Sequence, residues 1–140
     1  MPTIFTRILD GELPGTFVWR DGLCGAFLSI NPITRGHVLV VPKVEVDHWI
    51  DLEAATLSHL TEVAQVIGQA QHRAFACERV GLIVAGFEVA HVHLHVLPTN
   101  SEADYSFANA AASVDPNDLE AAADAIRDEL RAFGRSEVAT

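Results

Sequence analysis

Apolar residues cluster in five short stretches of the chain, which predicts five β-strands. The segment 16–30 (TFVWRDGLCGAFLSI) has apolar residues on both sides of an Asp-Gly pair suited to a tight turn, so we expect a β-hairpin there. The run 37–43 (HVLVVPK) is rich in β-branched residues, which favours a buried strand that ends at Pro42. The segments 79–86 (RVGLIVAG) and 91–98 (HVHLHVLP) are expected to be two further strands.

Two segments show the spacing of an amphipathic helix. Between Asp51 and about Ala76, apolar residues recur at helical spacing, and Asp51 is expected to cap the first turn. A second helix is predicted at about 116–133, with Asp115 as its N-cap and Pro116 in its first turn. The apolar faces consist of Leu57, Leu60, Ala64 and Ile67 in the first helix and of Leu119, Ile126, Leu130 and Phe133 in the second. This order of elements predicts an α+β fold with a mainly antiparallel sheet.

Composition and charge narrow the class of protein. The chain has 140 residues, 49% of them hydrophobic, so we expect a single domain over residues 1–140 with a core of its own. A net charge of −10 at pH 7 would repel a nucleic-acid backbone, so no nucleic-acid partner is expected. No apolar run is long enough to span a bilayer and the first residues lack a secretory signal, which predicts a cytoplasmic protein without a membrane partner. Cys24 and Cys77 are expected to be buried free thiols.

The stretch 88–98 (EVAHVHLHVLP) places three histidines at every second position. In a strand, His91, His93 and His95 would lie on one face, roughly 6.6 Å apart. The residues between them would then face the core: Val92, Leu94 and Val96. Three interpretations of the imidazole face are open. They are a solvated or hydrogen-bonded strand face, a metal site, and chemistry at phosphorus with one imidazole as nucleophile and others donating to the charged oxygens.

The run His-Val-His-Leu-His-Val-Leu at 91–97 matches the motif of the histidine triad superfamily, in which three histidines alternate with apolar residues. The segments 3–5 (TIF) and 26–43 (AFLSINPITRGHVLVVPK) are similar to that family too, so the resemblance covers about residues 3–98. It implies a homodimer in which each subunit has a five-stranded antiparallel sheet. It also implies a hydrolase or nucleotidyl transferase that acts on the α-phosphate of nucleoside phosphates or phosphoramidates through a nucleotidyl-histidine intermediate.

The resemblance assigns roles to individual residues. His93 corresponds to the nucleophile, and His95 and His37 correspond to the histidines that contact the phosphate. His91 corresponds to the buried histidine that orders the others. The ligand would be a purine nucleotide or a related small phosphate compound, and no cofactor is implied. The apolar base pocket, whose residues can equally be plain core, corresponds to Ile4, Phe5, Ile8, Phe27 and Ile30.

Several departures from the family pattern concern the substrate. Ser29 stands where nucleotide-binding members usually have an aspartate that holds the ribose hydroxyls, and one hydroxyl is a weaker acceptor. Phe87 replaces a glutamine four residues before the motif, and the loop ahead of it is shorter than usual. The adjacent Glu88 is either a proton donor to the leaving group, which requires burial to raise its pKa, or a solvated loop charge.

The resemblance also bears on metal binding. Thr3 and Thr6 stand where some bacterial relatives carry zinc-binding cysteines, so no metal is expected there. Two alternatives to a hydrolase remain open. One is a nucleotide-binding or regulatory module with little turnover, because residues that usually hold the substrate are replaced. The other is a metal-binding protein built on the imidazole face.

Overall fold

Five strands form one antiparallel sheet, in the order β1-β2-β3-β5-β4, in a computed structural model that describes all residues from 1 to 140. The strands are β1 (Phe17–Arg20), β2 (Cys24–Leu28), β3 (Val38–Pro42), β4 (Arg79–Ile83) and β5 (Leu94–Thr99). Each neighbouring pair is antiparallel, and the hairpin predicted around the Asp-Gly pair is formed by β1 and β2. The predicted α+β class is confirmed.

Three α-helices accompany the sheet: α1 (Ile4–Leu9), α2 (Ala54–Ala74) and α3 (Pro116–Ala132). Single 3-10 turns lie at Trp49–Asp51, Glu102–Tyr105 and Phe107–Asn109. The sequence pattern did not predict α1, which begins after Thr3, whose hydroxyl oxygen accepts from the backbone N–H of Thr6. Asp115 caps α3 as expected, because its side chain accepts from the backbone N–H of Asn117. No helix combines the length and the apolar character needed to cross a membrane.

The two faces of the sheet bury different clusters of side chains. One face packs against α2 and α3, and alternate residues such as Ala26, Val40 and Leu94 belong to its core. The other face carries a smaller apolar cluster, which contains Phe5 of α1 together with Phe17, Phe27, Leu39 and Val41. Because side chains alternate along a strand, His95 lies on the face opposite to Leu94, the face of α1.

The α2 boundary differs from the prediction. Asp51 lies in the preceding 3-10 turn, and the extended backbone of Leu52 separates this turn from α2. The N-cap residue is Glu53, whose side chain makes no capping hydrogen bond, so the predicted capping role of Asp51 is wrong. The helix then ends at Ala74, two residues before the predicted boundary.

The histidine-rich strand also begins later than predicted. β5 starts at Leu94, so His91, Val92 and His93 precede the ladder instead of belonging to it. The reason lies in the segment that follows β3: the backbone N–H of Val92 donates to Val46 O at 2.7 Å. Residues 91–93 are therefore paired outside the ladder, but the three histidine rings still lie on the α1 face: those of His91 and His93 pack on Phe5, and those of His93 and His95 are 4.8 Å apart.

Three smaller expectations are corrected as well. β4 ends at Ile83, three residues before the predicted end. Phe133 follows α3 as its C-cap and is 36% exposed, so it does not complete the buried face of that helix. Both cysteines are free, but only Cys24 is buried, whereas Cys77 is half-buried.

Arg127 of α3 fastens the end of the chain to the sheet. Its buried guanidinium donates to Phe17 O at 2.6 and 2.9 Å and to Ala139 O at 3.0 Å. Glu120 and Asp124 also accept from it, at 2.6 and 2.9 Å. The buried charge is therefore compensated on all sides, which is the condition under which such a group is stable in a core.

Candidate active site

Four buried histidines converge on the face of the sheet that carries α1. His37 lies directly before β3, His95 lies in β5 opposite Leu39, and His91 and His93 lie in the segment before β5. All four are at least 94% buried. The His93 and His95 ring centroids are 4.8 Å apart, and those of His37 and His95 are 5.2 Å apart. The structure thus brings together the four histidines that the sequence singled out.

His91 is held at both ends of its ring. Its Nε2 lies 2.7 Å from the backbone oxygen of Pro42, and a carbonyl can only accept, so Nε2 carries the proton. The remaining nitrogen, Nδ1, accepts a hydrogen bond from the Thr3 hydroxyl at 2.6 Å. His91 consequently has no free nitrogen for a ligand.

His93 is fixed as one tautomer by a backbone carbonyl. Its Nδ1 lies 2.8 Å from the backbone oxygen of His91, so Nδ1 carries the proton and donates it. The lone pair is then on Nε2, the nitrogen an imidazole uses as a nucleophile in this orientation. The Phe5 ring packs edge-on against His93, with centroids 4.9 Å apart, and fixes the plane of the imidazole.

His37 and His95 have the opposite arrangement. The backbone N–H of Ile33 donates to His37 Nδ1 at 3.1 Å, which leaves the proton of His37 on Nε2. This Nε2 lies 2.9 Å from His95 Nδ1 and donates to it. The proton of His95 is therefore on its own Nε2, which is free to donate to a ligand, whereas both nitrogens of His37 are engaged.

The pKa values of these histidines favour the neutral forms. Burial, assisted by the charge of neighbouring His93, lowers the pKa of His37 to about 4. Burial and the proximity of His93 and His37 lower the pKa of His95 to about 3. Burial also lowers the pKa of His93, partly opposed by its hydrogen bond to the His91 carbonyl. At neutral pH the site presents one lone pair and one N–H donor side by side.

Two cavities meet at His93. One has a volume of about 220 Å³ and lies between His95, Phe107 and the loop 85–88. The other has a volume of about 270 Å³, extends toward Trp49 and is also lined by residues 85–87 of this loop. Each cavity contains one carboxylate, Glu88 in the first and Asp47 in the second, and neither is lined by lysine or arginine.

Residues that the sequence did not single out complete the two cavities. The Phe107 ring packs edge-on against His95, with centroids 4.9 Å apart, and Trp49 and His48 line the second cavity. Phe107 comes after the region of family resemblance, and the other two lie in an irregular segment without periodicity. The only local signal was their aromatic and imidazole side chains.

The expected base-pocket residues are separated by the structure. Phe5, Ile8 and Phe27 pack together in the apolar cluster on the α1 face. Ile4 and Ile30 are instead 49% and 69% exposed. None of the five lines either cavity at His93.

The positions that depart from the family pattern lie close to the histidines. Ser29 pairs with His37 through a backbone hydrogen bond of 2.9 Å, and its hydroxyl accepts from the backbone N–H of Asn31 at 3.2 Å. Phe87 is 97% exposed and borders both cavities. Glu88 is also exposed, so the burial that a proton donor would need is not found there.

The histidine cluster is poorly arranged to hold a metal ion. A tetrahedral site needs three or four free lone pairs, and of the four histidines only His93 has one, on Nε2. Recruiting His95 would require moving its Nε2 proton to Nδ1, which already accepts from His37. The histidine nitrogens are therefore arranged to hydrogen-bond to one another and to the backbone, and not to coordinate a metal ion.

One further group has metal-ligand composition: Asp21, Cys24 and His59, whose ligand atoms lie within 4.8 Å of one another. Burial opposes ionisation of Asp21, but hydrogen bonds from Trp19, Leu23, His59 and Cys24 outweigh it and lower its pKa to about 2. Burial raises the pKa of the Cys24 thiol, which disfavours the thiolate that a metal requires. This group ties the β1-β2 turn to α2.

The fold and the site define an α+β protein with a buried cluster of hydrogen-bonded histidines at the edge of two small cavities. The model of the HIT domain matches residues 10–102. An uncharacterised HIT-like protein of Mycobacterium tuberculosis is 36% identical over 103 residues, which span 70% of this chain and 72% of that protein. The chain therefore belongs to the HIT family, the histidine triad proteins that the sequence resembles. Members of this family bind nucleotides, include hydrolases and often dimerise.

Solved structures agree with this assignment. A histidine triad nucleotide-binding protein from Sulfolobus tokodaii superimposes with a TM-score of 0.82 at 26% identity, covering 94% of this chain and 93% of that one. A zinc-bound histidine triad family protein from Mycobacterium smegmatis gives a TM-score of 0.80 at 26% identity, with 94% of both chains covered. The five-stranded fold of the family is thus present.

Two relatives have activities in their names. An adenylylsulfatase of Arabidopsis thaliana is 26% identical over 100 residues, covering 68% of this chain and 51% of that protein. An asymmetrical bis(5′-nucleosyl)-tetraphosphatase of Schizosaccharomyces pombe is 33% identical over 93 residues, covering 63% of this chain and 50% of that protein. The chain spans about half the length of each.

Proposed function

We propose that the protein hydrolyses the α-phosphate bond of a nucleoside phosphate or phosphoramidate, or transfers the nucleotidyl group, with His93 as the nucleophile. The hydrogen bond from His93 Nδ1 to the His91 carbonyl carries this proposal, because it leaves the Nε2 lone pair free beside the Nε2 proton of His95. A nucleophile next to a hydrogen-bond donor is what attack at a charged phosphoryl centre requires.

The proposed reaction has two steps. His93 Nε2 attacks the α-phosphorus, a phosphorus–nitrogen bond forms, and the bond to the leaving group breaks. The leaving group departs with the bonding electron pair and takes a proton from solvent. Water then attacks the phosphorus, the bond to His93 breaks, its electron pair returns to Nε2, and the nucleotide is released with the proton of the water passed to solvent. His95 donates to the phosphoryl oxygen in both steps.

In this proposal His91 acts through His93, and His37 acts through His95. His91 holds the proton of His93 through its carbonyl, and His37 orients His95. The resemblance to the family assigned His37 to direct contact with the phosphate. Because both of its nitrogens are already bonded in the free protein, we assign it to the positioning of His95 instead.

Charge favours an uncharged or cationic leaving group. Glu88 and Asp47 each border one cavity at His93, and no lysine or arginine offsets them there. An anionic leaving group such as sulfate or a second nucleotide, implied by the names of the two characterised relatives, would be repelled. The proposed substrate is therefore a purine nucleoside 5′-phosphoramidate with an amine leaving group. Phe87 and Trp49 offer apolar surface to the body of that amine.

The direct test is turnover of adenosine 5′-phosphoramidate, compared with adenosine 5′-phosphosulfate and diadenosine tetraphosphate. We expect hydrolysis of the phosphoramidate with the highest kcat/KM, and its loss in His93→Ala. Equal or faster hydrolysis of the two anionic-leaving-group compounds would contradict the charge argument. Undiminished turnover in His93→Ala would contradict the role of His93.

A nucleotide-binding module with little turnover is the second candidate. It is favoured by Ser29, whose hydroxyl already accepts from the backbone of Asn31 and offers no charged acceptor to a ribose. Tight calorimetric binding of a purine mononucleotide, together with the absence of phosphoramidate hydrolysis, would support this candidate against the enzyme.

The homodimer is proposed from an unpaired sheet edge. β4 is an edge strand, and a groove of about 1160 Å³ runs between it and α2. Leu82 and Phe133 line this groove and are 52% and 36% exposed, so a partner subunit seated on this edge would cover them. We expect a dimer in sedimentation at micromolar concentration and a monomer for Leu82→Glu. A monomeric wild type would remove the proposal.

Two broader expectations remain predictions. A single domain over residues 1–140 predicts one cooperative unfolding transition, and limited proteolysis that released two stable fragments would contradict it. A cytoplasmic location is tested by fractionation of cells that express the full chain from its own gene.

A further inference from the structure

Four residues far apart in the sequence form a connected hydrogen-bond cluster, which we call the N-terminal clasp: Thr3, Thr6, Glu45 and His91. Glu45 Oε1 accepts from the backbone N–H of Thr3 at 2.8 Å and from the Thr6 hydroxyl at 2.5 Å. The Thr3 hydroxyl accepts from the backbone N–H of Thr6 at 3.1 Å and donates to His91 Nδ1 at 2.6 Å. The clasp thus joins the start of α1, the segment after β3 and the first histidine of the motif.

The clasp occupies the region where some family members bind zinc through two cysteines, and it does not fit that metal. Thr3 and Thr6 replace both thiolates with neutral hydroxyls, which are not among the usual zinc ligands. His91 offers no lone pair, since Nε2 donates to the Pro42 carbonyl and Nδ1 accepts from Thr3. Glu45 would remain as a single carboxylate.

We propose that the N-terminal clasp takes the place of a structural metal and positions the His91 carbonyl, so that Thr3 and Glu45 are positioning residues for His93. The His91 ring is fixed from Thr3 on one side and from Pro42 on the other. Its backbone oxygen is consequently held 2.8 Å from His93 Nδ1. The effect on catalysis rests on the proposed function, whereas the effect on the His93 tautomer does not.

Glu45 orients the hydroxyl groups of the clasp. Its Oε1 accepts the proton of the Thr6 hydroxyl, so the Thr6 oxygen can only accept from Thr3, which lies 3.3 Å away. The Thr3 hydroxyl oxygen accepts from the backbone N–H of Thr6, and its own proton is directed to His91 Nδ1, which at 2.6 Å is the nearer of its two acceptors. A metal ion would fix these groups by coordination; here a carboxylate does so by accepting two hydrogen bonds.

The test combines variants with a readout of the His93 tautomer. Thr3→Val removes the hydroxyl with little change of shape, and Glu45→Ala removes the acceptor from an exposed position where folding is not at risk. Thr3→Ser restores the hydroxyl. Glu12→Ala is the matched control, because Glu12 is an exposed glutamate that pairs with Arg7 of α1 without contacting the clasp. The readouts are ring nitrogen chemical shifts by NMR, kcat and KM for adenosine 5′-phosphoramidate, and zinc content.

We expect wild-type protein equilibrated with zinc and then dialysed to retain no stoichiometric metal. Thr3→Val and Glu45→Ala should shift His93 away from the Nδ1–H tautomer and lower kcat by about tenfold with little change in KM, the usual effect of losing an orienting partner. Thr3→Ser should restore both properties, and Glu12→Ala should change neither.

Two results would overturn the clasp. One is an unchanged His93 tautomer in both Thr3→Val and Glu45→Ala. The other is one tightly held zinc ion per wild-type chain that is lost in Glu45→Ala. If the wild type shows no turnover, the proposed function fails, while the NMR and zinc measurements still decide whether the clasp exists.

Discussion

The Nε2 nitrogen of His37 lies 2.9 Å from the Nδ1 nitrogen of His95, and a backbone amide sets the direction of this hydrogen bond. The N–H of Ile33 can only donate, so His37 accepts at Nδ1 and donates at Nε2. The carbonyl of His91 can only accept, so His93 donates at Nδ1. The Ile33 amide, acting through His37, leaves the proton of His95 on Nε2, whereas the His91 carbonyl places the proton of His93 on Nδ1. The neighbouring rings of His93 and His95 therefore have opposite tautomers. The tautomers of the site are set by backbone N–H and C=O groups and not by charged side chains.

A first prediction distinguishes the role of His95 from that of His37. His95→Ala should lower kcat by about 100- to 1,000-fold, the usual cost of removing a donor to the charged oxygens of a transition state. His37→Asn should lower kcat less, because His37 acts through the orientation of His95. Steady-state kinetics on the proposed phosphoramidate substrate check both. An equal loss in the two variants would contradict the positioning role of His37 and indicate that His37 contacts the phosphate directly.

A second prediction concerns stability in mild acid. The folded-state pKa of His37 is about 4 and that of His95 about 3, both below the ordinary 6.5, so the unfolded chain binds protons that the folded chain refuses. Stability should be highest above pH 6.5 and should fall as pH drops from there toward these pKa values. His37 and His95 should each lower the free energy of unfolding by about 2 kcal/mol between pH 7 and 5, because a difference of one pKa unit corresponds to about 1.4 kcal/mol. Urea unfolding at several pH values measures this.

The control for the acid prediction is His37→Asn. In this variant the decrease in the free energy of unfolding between pH 7 and 5 should be smaller than in the wild type by about 2 kcal/mol, the contribution of one histidine. The low pKa of Asp21 contributes in the same direction, but only as pH falls below the ordinary carboxyl range toward about 2, outside this window. A wild-type stability that does not change between pH 7 and 5 would mean that the histidines are not held neutral.

A third prediction compares two arginines on α3, four residues apart. Arg127 is buried and donates to the backbone oxygens of Phe17 and Ala139, so Arg127→Ala leaves two carbonyls without a donor and should cost about 2–5 kcal/mol. Arg131 pairs with Asp128 on the exposed side of the helix, so Arg131→Ala should change the unfolding free energy by less than about 0.5 kcal/mol. Chemical denaturation of both variants tests the pair, and similar losses would refute the structural role of Arg127.

A fourth prediction concerns the core beneath the motif. Leu94 alternates with the histidines and is buried against α2, so Leu94→Ala should destabilise the protein by about 2–5 kcal/mol. Leu23→Ala is the matched control, because Leu23 is 54% exposed in the β1-β2 turn. A loss of stability in Leu94→Ala no larger than in the control would contradict the assigned faces of β5.

The sequence predicted the elements whose signals are local. The hairpin follows from an Asp-Gly pair between apolar runs, and α3 follows from a cap, a proline and an apolar face. α1 was missed because six residues span too few turns to show a helical period, and its apolar residues fitted a binding pocket equally well. The start of β5 was misplaced because Val92 is bonded to Val46, a long-range contact that alternation cannot reveal.

The same division holds for the candidate site. Three histidines could be named from the motif and His37 from its flanking segment, but the protonation state of His91 depends on Pro42 and Thr3, which are 49 and 88 residues away. The cavity wall formed by Phe107 also arises only when the chain after β5 folds back over the sheet. Motif spacing can identify reactive groups, whereas tautomers and cavity walls require the fold.

The most direct test of the account is the covalent intermediate itself. Wild-type protein mixed with adenosine 5′-phosphoramidate and quenched in milliseconds should show, by intact mass, one adenylyl group per chain. Peptide mapping should place this group on His93, and the His93→Ala variant should carry none. Turnover without an adduct on His93, or an adduct on another histidine, would contradict the central claim that the His91 carbonyl makes His93 the nucleophile.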